Sequence, residues 1–349
     1  CEYCLLQPKQ RHNRTRIMAN QVEEVNTIAI ADIAAINGLN DAAIEAINGL
    51  EFVSAFTGIT WSTDDTTPVS ISFGVHMGII GADAIVNCND KGATGYKATY
   101  EHDGSSWSTT GNCAGTHGVA GGGGIQTAGV IFNGYDDNSG DSTNVTEEYN
   151  GSTWATGNNS VEASAYVSGG GSVQTAQLCT GGARFSPLTL NLSMTQTYNG
   201  TNWANESVAS DGVGSGSSGE SGGGGLDAFF KPSGANSSAT QSTSQLFDQT
   251  AGTWTSKATV SAAKRYTGSS TDGTRVFKIG GWSGGGAAST STLVESWVEN
   301  AWTTQSTLTA ARNGSGCGTG GTESAGGASA FGGNDTSGAT NTYYIAAAS

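Results

Sequence analysis

The stretch that decides the fold is Tyr149-Asn150-Gly151-Ser152-Thr153-Trp154, which recurs as Tyr198-Asn199-Gly200-Thr201-Asn202-Trp203. In both copies an Asn-Gly pair stands between two aromatic residues. Asn-Gly is typical of tight β-hairpin turns, because those turns need residues that tolerate a positive φ angle. Phe56-Thr57-Gly58-Ile59-Thr60-Trp61 is a degenerate copy, and Asp103-Gly104 marks the same turn with two extra residues before Trp107. Each copy therefore predicts two antiparallel strands with a large side chain on each.

Tryptophans recur at nearly constant spacing along most of the chain. Six of them are separated by 46, 47, 49, 51 and 48 residues: Trp61, Trp107, Trp154, Trp203, Trp254 and Trp302. An aromatic residue stands five or seven positions before each of them, as Tyr100 does before Trp107. A repeat of this length predicts one supersecondary unit that stacks on its neighbours.

Each repeat contains two further strand-like runs before its hairpin. Glycines cluster where the first run ends, as at Gly121–Gly124 and Gly222–Gly225, and a Gly-Gly pair follows the second run, as at Gly280-Gly281. Four short strands in about 48 residues are typical of a β-propeller blade. The last repeat lacks its Trp strand, and the first Trp strand has no repeat before it. We therefore predict an all-β fold, a six-bladed β-propeller over residues 51–349, closed by an N-terminal strand that pairs with the C-terminal strands.

The composition excludes several classes of protein. Of 349 residues 54 are Gly, and charged residues make up 12%. A long coiled coil needs many more charged residues, and collagen needs Gly at every third position. No apolar run reaches the roughly 18–20 residues that cross a bilayer, so we expect no membrane insertion. The formal charge of −15 repels phosphate, so nucleic acid is not an expected partner.

The N-terminal segments do not follow the repeat. Residues 1–17 are basic and precede Met18-Ala19-Asn20, which is typical of a natural start, so we interpret 1–17 as a leader that is either translated upstream sequence or an artefact. Residues 18–50 carry an Ile-Asn-Gly-Leu echo at Ile36–Leu39 and Ile47–Leu50. Apolar residues at i and i+3 followed by Asn-Gly predict two short helical turns or a small stalk. So short a segment cannot bury its isoleucines alone, and we expect it to dock on a partner or on sister chains.

The Gly-Gly pair after a strand and the aromatic-turn-Trp hairpin resemble kelch repeats, with Asn-Gly where that family typically has Asp-Pro. These turns, the Gln-Thr-Ala copies at Gln126–Ala128 and Gln174–Ala176, and the Ser/Gly-rich strands are similar to kelch-like propellers in virion proteins of tailed, chiefly marine, bacteriophages. The resemblance covers about residues 18–349. It implies a non-enzymatic virion protein, a tail fibre or appendage that presents its propeller to a host-surface glycan and binds other virion proteins through residues 18–50.

The long loops of the predicted propeller lie on one face. Loops that join strand two to strand three share this face with those that join strand four to the next blade. Long variable loops on a rigid scaffold are where recognition usually resides, and aromatic rings beside Asp and Asn suit sugars. The candidate ligand-binding residues on this face are Tyr135, Asp136, Asp137, Arg184, Phe185 and Trp282.

We expect no cofactor and no catalytic site. Asp137, Ser139 and Asp141 have the alternate spacing of a calcium loop, which makes Asp137 and Asp141 the metal candidates. However, the Gly and terminal Glu of an EF-hand are misplaced, and a solvated turn is the simpler interpretation. The six cysteines complete neither a zinc motif nor a disulfide framework. No carboxylate pair, phosphate-binding loop or nucleophile motif stands out.

Three functions remain open at this point. The first is a virion appendage that recognises the host surface. The second is a decoration protein of the capsid or tail without a receptor role. The third is a propeller enzyme that acts on polysaccharide, which would require carboxylates clustered at one mouth of the ring. The sequence leaves the ligand, the host and the oligomeric state undetermined, although the N-terminal segment is compatible with a homo-oligomer.

Overall fold

The structure is a computed structural model, and it describes six short strands between Glu24 and Glu51 together with residues 58–71, 73–79, 83–87, 97–189, 192–208, 229–231, 233–235, 240–271, 275–284, 289–298, 301–314, 329–335, 337 and 339–348. The regular elements of these residues are all β-strands. Within these residues there is no helix with the length and apolarity needed to cross a membrane. The chain divides into two compact units, Cys1–Thr57 and Gly58–Ser349.

The short strands of the first unit form three antiparallel pairs. They are β1 (Glu24–Val25) with β2 (Ile28–Ala29), β3 (Ala35–Ile36) with β4 (Leu39–Asn40), and β5 (Ala46–Ile47) with β6 (Leu50–Glu51). The prediction of helical turns in residues 18–50 is therefore wrong for these residues. Asn37-Gly38 and Asn48-Gly49 each separate two paired strands by two residues, which is the commonest hairpin spacing. Residues 1–17 lie outside the described part of the chain.

The second unit begins with β7 (Ile59–Ile71) and contains four four-stranded antiparallel sheets among its described residues. These sheets are the blades of a propeller arrangement, and their strands are hydrogen-bonded in the order given. The first blade is β8 (Val75–Ile79), β9 (Asp83–Asn87), β10 (Thr99–His102) and β11 (Trp107–Thr109). The second is β12 (Gly121–Ile125), β13 (Ala128–Phe132), β16 (Thr146–Tyr149) and β17 (Trp154–Thr156). The third is β18 (Ser168–Val173), β19 (Ala176–Thr180), β22 (Thr195–Tyr198) and β23 (Trp203–Asn205). The fourth is β29 (Gly268–Thr271), β30 (Val276–Ile279), β31 (Val294–Val298) and β32 (Ala301–Thr304).

Two three-stranded sheets complete the second unit. The middle sheet, between the third and fourth blades in sequence, is β24 (Phe229–Lys231), β27 (Ser244–Asp248) and β28 (Thr253–Lys257). The closing sheet is β33 (Ser329–Phe331), β34 (Thr340–Ala348) and β7. Trp61 of β7 lies opposite Ala346 of β34, so the predicted pairing of an N-terminal strand with the C-terminal end is confirmed.

Three two-stranded ribbons extend from the loops between strands two and three. They are β14 (Tyr135–Asp136) with β15 (Asp141–Ser142), β20 (Arg184–Phe185) with β21 (Leu188–Thr189), and β25 (Gly234–Ala235) with β26 (Thr240–Gln241). They lengthen these loops and give them a defined backbone.

The predicted Asn-Gly turns join the last two strands of the second and third blades. Tyr149 lies opposite Trp154. The side-chain oxygen of Asn150 accepts hydrogen bonds from the backbone N–H groups of Ser152 and Thr153 at 3.1 and 3.0 Å. Gly151 has a φ of 92°. The two residue types are thus required for different reasons: Asn closes the turn with its side chain, and Gly takes the left-handed backbone.

The first blade has the same turn without extra residues, so the predicted two-residue insertion is wrong. His102, rather than Tyr100, lies opposite Trp107. Asp103 takes the place of Asn, and its Oδ1 accepts the backbone N–H groups of Ser105 and Ser106, both at 2.9 Å. Hydrogen bonds from the side chain and backbone of Ser105 and the backbone of Ser106 lower the pKa of Asp103 to about 2.

Five of the six repeated tryptophans donate a hydrogen bond to the sheet, or the segment, that precedes their own sheet. Four indole Nε1 atoms donate to a hydroxyl of the preceding sheet: Trp154 to Thr99 of β10 at 3.0 Å, Trp203 to Thr146 of β16 at 3.0 Å, Trp254 to Thr195 of β22 at 3.1 Å, and Trp302 to Ser244 of β27 at 3.3 Å. Trp61 of the closing sheet donates instead to the carbonyl of Ser306, which follows the fourth blade, at 3.0 Å. The tryptophan spacing therefore marks hydrogen bonds between sheets.

Glycine allows the first strands of neighbouring blades to approach closely. A Cβ on Gly123 of β12 would lie 2.5 Å from the carbonyl oxygen of Gly171 in β18. The apolar core lies between the sheets, where Phe132 of β13 packs on Trp203 of β23 with ring centroids 4.8 Å apart. Both residues are buried. The core therefore combines glycine-lined contacts with large rings at the outer strands.

Candidate functional site

The loops between strands two and three lie beside the residues that precede strand one. Isolated antiparallel bridges join Gly118 to Tyr135 in the second blade and Arg265 to Trp282 in the fourth. Ala165 and Ala183 form the equivalent bridge in the third blade. Tyr135 and Trp282 therefore occupy the same position in two different blades.

A pair of left-handed residues directs each of these loops. The pairs, with their φ angles, are Asn133 (59°) and Gly134 (108°), Gly181 (70°) and Gly182 (95°), Gly280 (65°) and Gly281 (103°), and Gly332 (57°) and Gly333 (83°). Asn is the side-chain-bearing residue that best tolerates this backbone, which explains its place in the first pair. A Cβ on Gly182 would lie 2.7 Å from the carbonyl oxygen of Ala165, so the second member of that pair must be Gly.

A second set of left-handed residues stands two positions before strand one, and most of them are bulky. Phe73, Val119, Tyr166 and Tyr266 have φ angles of 56°, 50°, 57° and 60°. Gly314, with a φ of 62°, has the same backbone and accepts the N–H of Phe73 at 2.7 Å. Aromatic and β-branched residues rarely adopt this conformation, and such strain is concentrated at functional sites.

Six aromatic rings meet on this loop face and form what we call the aromatic cluster. Its members are Phe73, Tyr135, Tyr166, Phe185, Tyr266 and Trp282. Successive ring centroids are 5.2 Å apart for Tyr135 and Phe185, 6.1 Å for Phe185 and Tyr166, 6.4 Å for Tyr166 and Phe73, 5.2 Å for Phe73 and Tyr266, and 5.8 Å for Tyr266 and Trp282. All six side chains are half-buried, so each retains a solvent-facing part.

The structure therefore brings together three of the sequence-based candidates, Tyr135, Phe185 and Trp282. Sequence reasoning missed Phe73, Tyr166 and Tyr266. Their signal was their common position two residues before a first strand, which puts them close to two repeat lengths apart in sequence.

Two arginines flank the aromatic cluster in different ways. The guanidinium carbon of Arg265 lies 4.2 Å from the Trp282 ring centroid and 5.2 Å from that of Tyr266. Arg184, the sequence-based candidate, forms an ion pair with Glu162 at 3.2 Å, in which both side chains are about one-third exposed or more (32% and 41%). Arg184 is thus occupied by a carboxylate, whereas Arg265 lies on two rings.

In the acidic loop at residues 135–141, the carboxylate of Asp136 is hydrogen-bonded to neighbouring groups of the protein. Asp136 accepts hydrogen bonds from Thr116, from Ser139 Oγ at 2.8 Å and from the backbone N–H of Asn138 at 3.0 Å. Burial alone would raise the pKa of Asp136, but these hydrogen bonds outweigh it and hold the pKa below its ordinary value.

The two metal candidates, Asp137 and Asp141, lie in the same loop. Asp137 is half-exposed, and Asp141 Oδ1 accepts the N–H of Ser142 at 2.6 Å. Among the described residues, no group of three or more His, Cys, Asp or Glu side chains is arranged to hold a metal ion.

A glutamate or glutamine on strand three anchors the segment that leads into its blade. Glu147 accepts the N–H of Ala114 at 2.8 Å, Gln196 that of Val161 at 2.6 Å, and Glu295 that of Ser261 at 2.7 Å. This shared position supports the backbone beneath the loop face.

The two buried carboxylates at this position each have a basic side chain as a partner. His117 lies 3.1 Å from Glu147, and Lys278 lies 3.0 Å from Glu295. Burial would raise the pKa of Glu147, but hydrogen bonds from His117 and two backbone N–H groups lower it overall. These acids are thus held in the fold, away from the solvent-facing rings.

Comparison with known proteins bears on the fold. No protein-family model and no curated protein matches the sequence. A solved structure titled "Structure of YjhT" is similar, with a TM-score of 0.64 and 15% sequence identity, over 80% of this chain and 95% of that one. At that identity the likeness shows the fold alone, and it agrees with the β-propeller arrangement of the four blades.

Proposed function

We propose that this protein is a non-enzymatic virion component of a tailed bacteriophage, whose six-bladed kelch-like propeller recognises a host-surface glycan through the aromatic cluster. The blade count comes from taking the middle and closing sheets as two further blades. The tryptophan hydrogen bonds that run from the first blade to the closing sheet support this count. The pairing of β7 with β34 then closes the ring.

The Gly-Gly pairs after strand two and the Trp hairpins support the kelch-like assignment. Gly280-Gly281 and Gly332-Gly333 provide the left-handed pair, and Trp203 lies opposite Tyr198 across an Asn-Gly turn. In a six-bladed ring the residues before strand one lie nearest the axis. Phe73, Tyr166 and Tyr266 would then meet at one mouth of the ring.

The observation that carries the recognition function is the set of six half-buried rings on one loop face. Sugar rings present apolar C–H faces that pack on aromatic side chains, while their hydroxyls require polar groups at the edge. Tyr hydroxyls and the guanidinium of Arg265 provide such groups beside the rings. Binding sites commonly combine aromatic walls with a few polar groups. Residues 18–50, with their three repeated strand pairs, would attach the propeller to other virion proteins or to sister chains.

A binding assay with a matched control tests the recognition site. Trp282→Ala should weaken binding of the full chain to host cells or their extracted polysaccharide by about tenfold or more, as is usual for a central aromatic anchor. Val173→Ala is the control, because Val173 is 49% exposed and lies at the opposite end of its blade. Equal loss in both variants, or no loss in either, would contradict the proposed site.

Location on the particle tests the virion assignment. Cryo-electron microscopy of purified particles should show propeller density at the tail tip or fibres. Density on the capsid or along the tail tube would favour a decoration role instead. Absence of the protein from the particle would contradict the virion assignment.

A further inference from the structure

Arg265 contacts the aromatic cluster through both its backbone and its guanidinium. Its backbone N–H donates to the carbonyl of Trp282 at 2.9 Å, and the N–H of Trp282 donates back to Arg265 at 2.7 Å. Its guanidinium lies over the Trp282 ring at 4.2 Å and close to the Tyr266 ring. The side chain is half-buried. Its planar group therefore lies against an aromatic ring without a ligand, and a group that is positioned in advance lowers the entropic cost of binding.

The charge of Arg265 has no acidic partner in the described part of the chain. Three other cations there have acidic partners: Arg184 has Glu162 at 3.2 Å, Lys278 has Glu295 at 3.0 Å, and Arg312 has Asp335 at 3.7 Å. The Nε atom of Arg265 also has no hydrogen-bond acceptor among these residues. Because the chain has 29 acidic and only 14 Lys or Arg residues, acids are plentiful, yet none of the described ones neutralises this guanidinium.

The neighbours of Arg265 reinforce its positive character. Lys264 precedes it and is half-buried on the same loop. A guanidinium binds carboxylate, sulfate or phosphate oxygens through two parallel hydrogen bonds, and partial removal from water strengthens that attraction. The rings of Tyr266 and Trp282 lie beside it, with centroids 5.8 Å apart. One side of the site thus suits an anion and the other the apolar face of a sugar.

We infer that the corner formed by Arg265 and Trp282 binds the anionic group of an acidic saccharide while the neighbouring rings pack on its sugar ring. This inference rests on the proposed saccharide recognition and narrows its ligand to sugars that carry a carboxylate or a sulfate. The guanidinium supplies selectivity, and the aromatic cluster supplies contact area.

Polymer binding with charge variants tests this inference. The full chain is titrated against polygalacturonate as a carboxylated probe, dextran sulfate as a sulfated probe, and dextran as a neutral one. Arg265→Gln should weaken binding to the preferred anionic polymer by about tenfold or more and reduce its salt dependence. Arg265→Lys, which keeps the charge but loses the planar fork, should fall between the two. Lys257→Gln is the control, because it removes the same charge from β28, an edge strand of the middle sheet, and Lys257 is not among the residues that contact the cluster rings.

The outcomes separate this inference from the function on which it rests. Selective loss in Arg265→Gln supports it, and the stronger of the two anionic probes identifies carboxylate or sulfate as the ligand group. Equal binding of dextran and the anionic polymers by the unaltered protein overturns the acidic-sugar inference but leaves glycan recognition standing. Failure to bind any polymer or any host cell overturns both. Circular dichroism of each variant checks folding, and the salt dependence of the unaltered protein needs no variant.

Discussion

Gly281 and Gly284 have similar left-handed backbones but different surroundings. Their φ angles are 103° and 94°. A Cβ on Gly281 would lie 2.5 Å from Cγ2 of buried Thr267, whereas a Cβ on Gly284 would have no heavy atom of the described residues within 4 Å, its chain neighbours aside. The two positions therefore separate the cost of a left-handed alanine from the cost of overpacking.

We expect Gly281→Ala to lower the free energy of unfolding by about 2 kcal/mol more than Gly284→Ala. Both variants carry the backbone cost of about 1–2 kcal/mol, but only the first adds a steric clash beneath Trp282. Urea denaturation of both variants and the unaltered protein measures the difference. Equal losses would mean that the loop relaxes around the added methyl group.

Among the residues of the aromatic cluster, the sequence predicts only those that lie in the long loops between strands two and three. Trp282 stands out because it lies off the tryptophan spacing and directly after a Gly-Gly pair. Phe73, Tyr166 and Tyr266 are far apart in sequence and become neighbours only when different blades converge. Arg265 belongs to no sequence motif. Its proposed role depends on the absence of an acidic partner among the described residues, which the sequence alone does not show.

At the scale of strands, the repeats preserve interactions by changing both partners together. The hydroxyl of Tyr149 donates to Glu101 of the preceding blade at 2.7 Å, and that of Tyr198 donates to Glu148 at 2.7 Å. In the middle sheet, Phe247 stands at the position of the tyrosine. In the third blade, which precedes that sheet, Thr197 stands at the position of the glutamate. Hydroxyl and carboxylate are thus absent together, so neither is left without its partner.

The buried pair on strands two and three offers a direct test of this rule. Lys278 lies opposite Glu295 in the fourth blade, and Cys179 lies opposite Gln196 at the equivalent position of the third. Lys278→Cys should cost about 3–5 kcal/mol, because it leaves Glu295 buried without its cation. The double variant Lys278→Cys with Glu295→Gln reproduces the third-blade pair and should recover most of that loss.

Equilibrium unfolding of both single variants and the double variant forms a double-mutant cycle. A double variant that is no more stable than Lys278→Cys alone would show that the two blades hold this position differently.

The N-terminal pairs show where periodicity misleads at this scale. Apolar residues at i and i+3 suit a helical turn, but over seven residues they also suit two short strands around Asn-Gly. The pairing of Ile36 with Leu39 and of Ile47 with Leu50 places that dipeptide between strands. In the second and third blades the same Asn-Gly dipeptide lies between two aromatic residues, and that pattern predicts a hairpin and not a helix C-terminus.

At the scale of the whole molecule, the repeat length and Trp hairpins predict blades of four antiparallel strands, and four such blades are present among the described residues. The repeat length and the hairpins depend on local turn chemistry and on residue spacing. They can therefore be predicted without knowledge of contacts between distant residues. The arrangement of the loop face depends on how sheets meet, which single-sequence patterns do not encode. The fold was therefore more predictable than the site.

The stability of the molecule should fall in mild acid because of His76. Burial, with a smaller effect of nearby His102, lowers the pKa of His76 to about 3. The unfolded chain binds its proton near pH 6.5, so only the unfolded state is protonated between these values. This penalty is absent above about pH 6.5, and it grows as the pH falls, approaching about 1.4 kcal/mol per pH unit until about pH 3.

Unfolding free energies of the unaltered protein and His76→Gln, measured from about pH 7.5 to pH 5, test this expectation. Carboxylates with lowered pKa, such as Glu147, act mainly below about pH 4.5, so this range reports histidine. The variant should show the shallower slope. Parallel slopes would mean that His76 is not the group that binds the proton.

The pairing of β7 with β34 also has a consequence for biosynthesis. β7 leaves the ribosome about 270 residues before its partner, which at typical rates of about 5–20 residues per second is a wait of roughly 15–55 s. Throughout that time the nascent chain carries an unpaired edge that can template wrong association. Pro68 lacks a backbone donor and Asp65 carries a charge, and both lie within β7. We expect these two residues to reduce wrong pairing of the β7 edge until β34 has been synthesised.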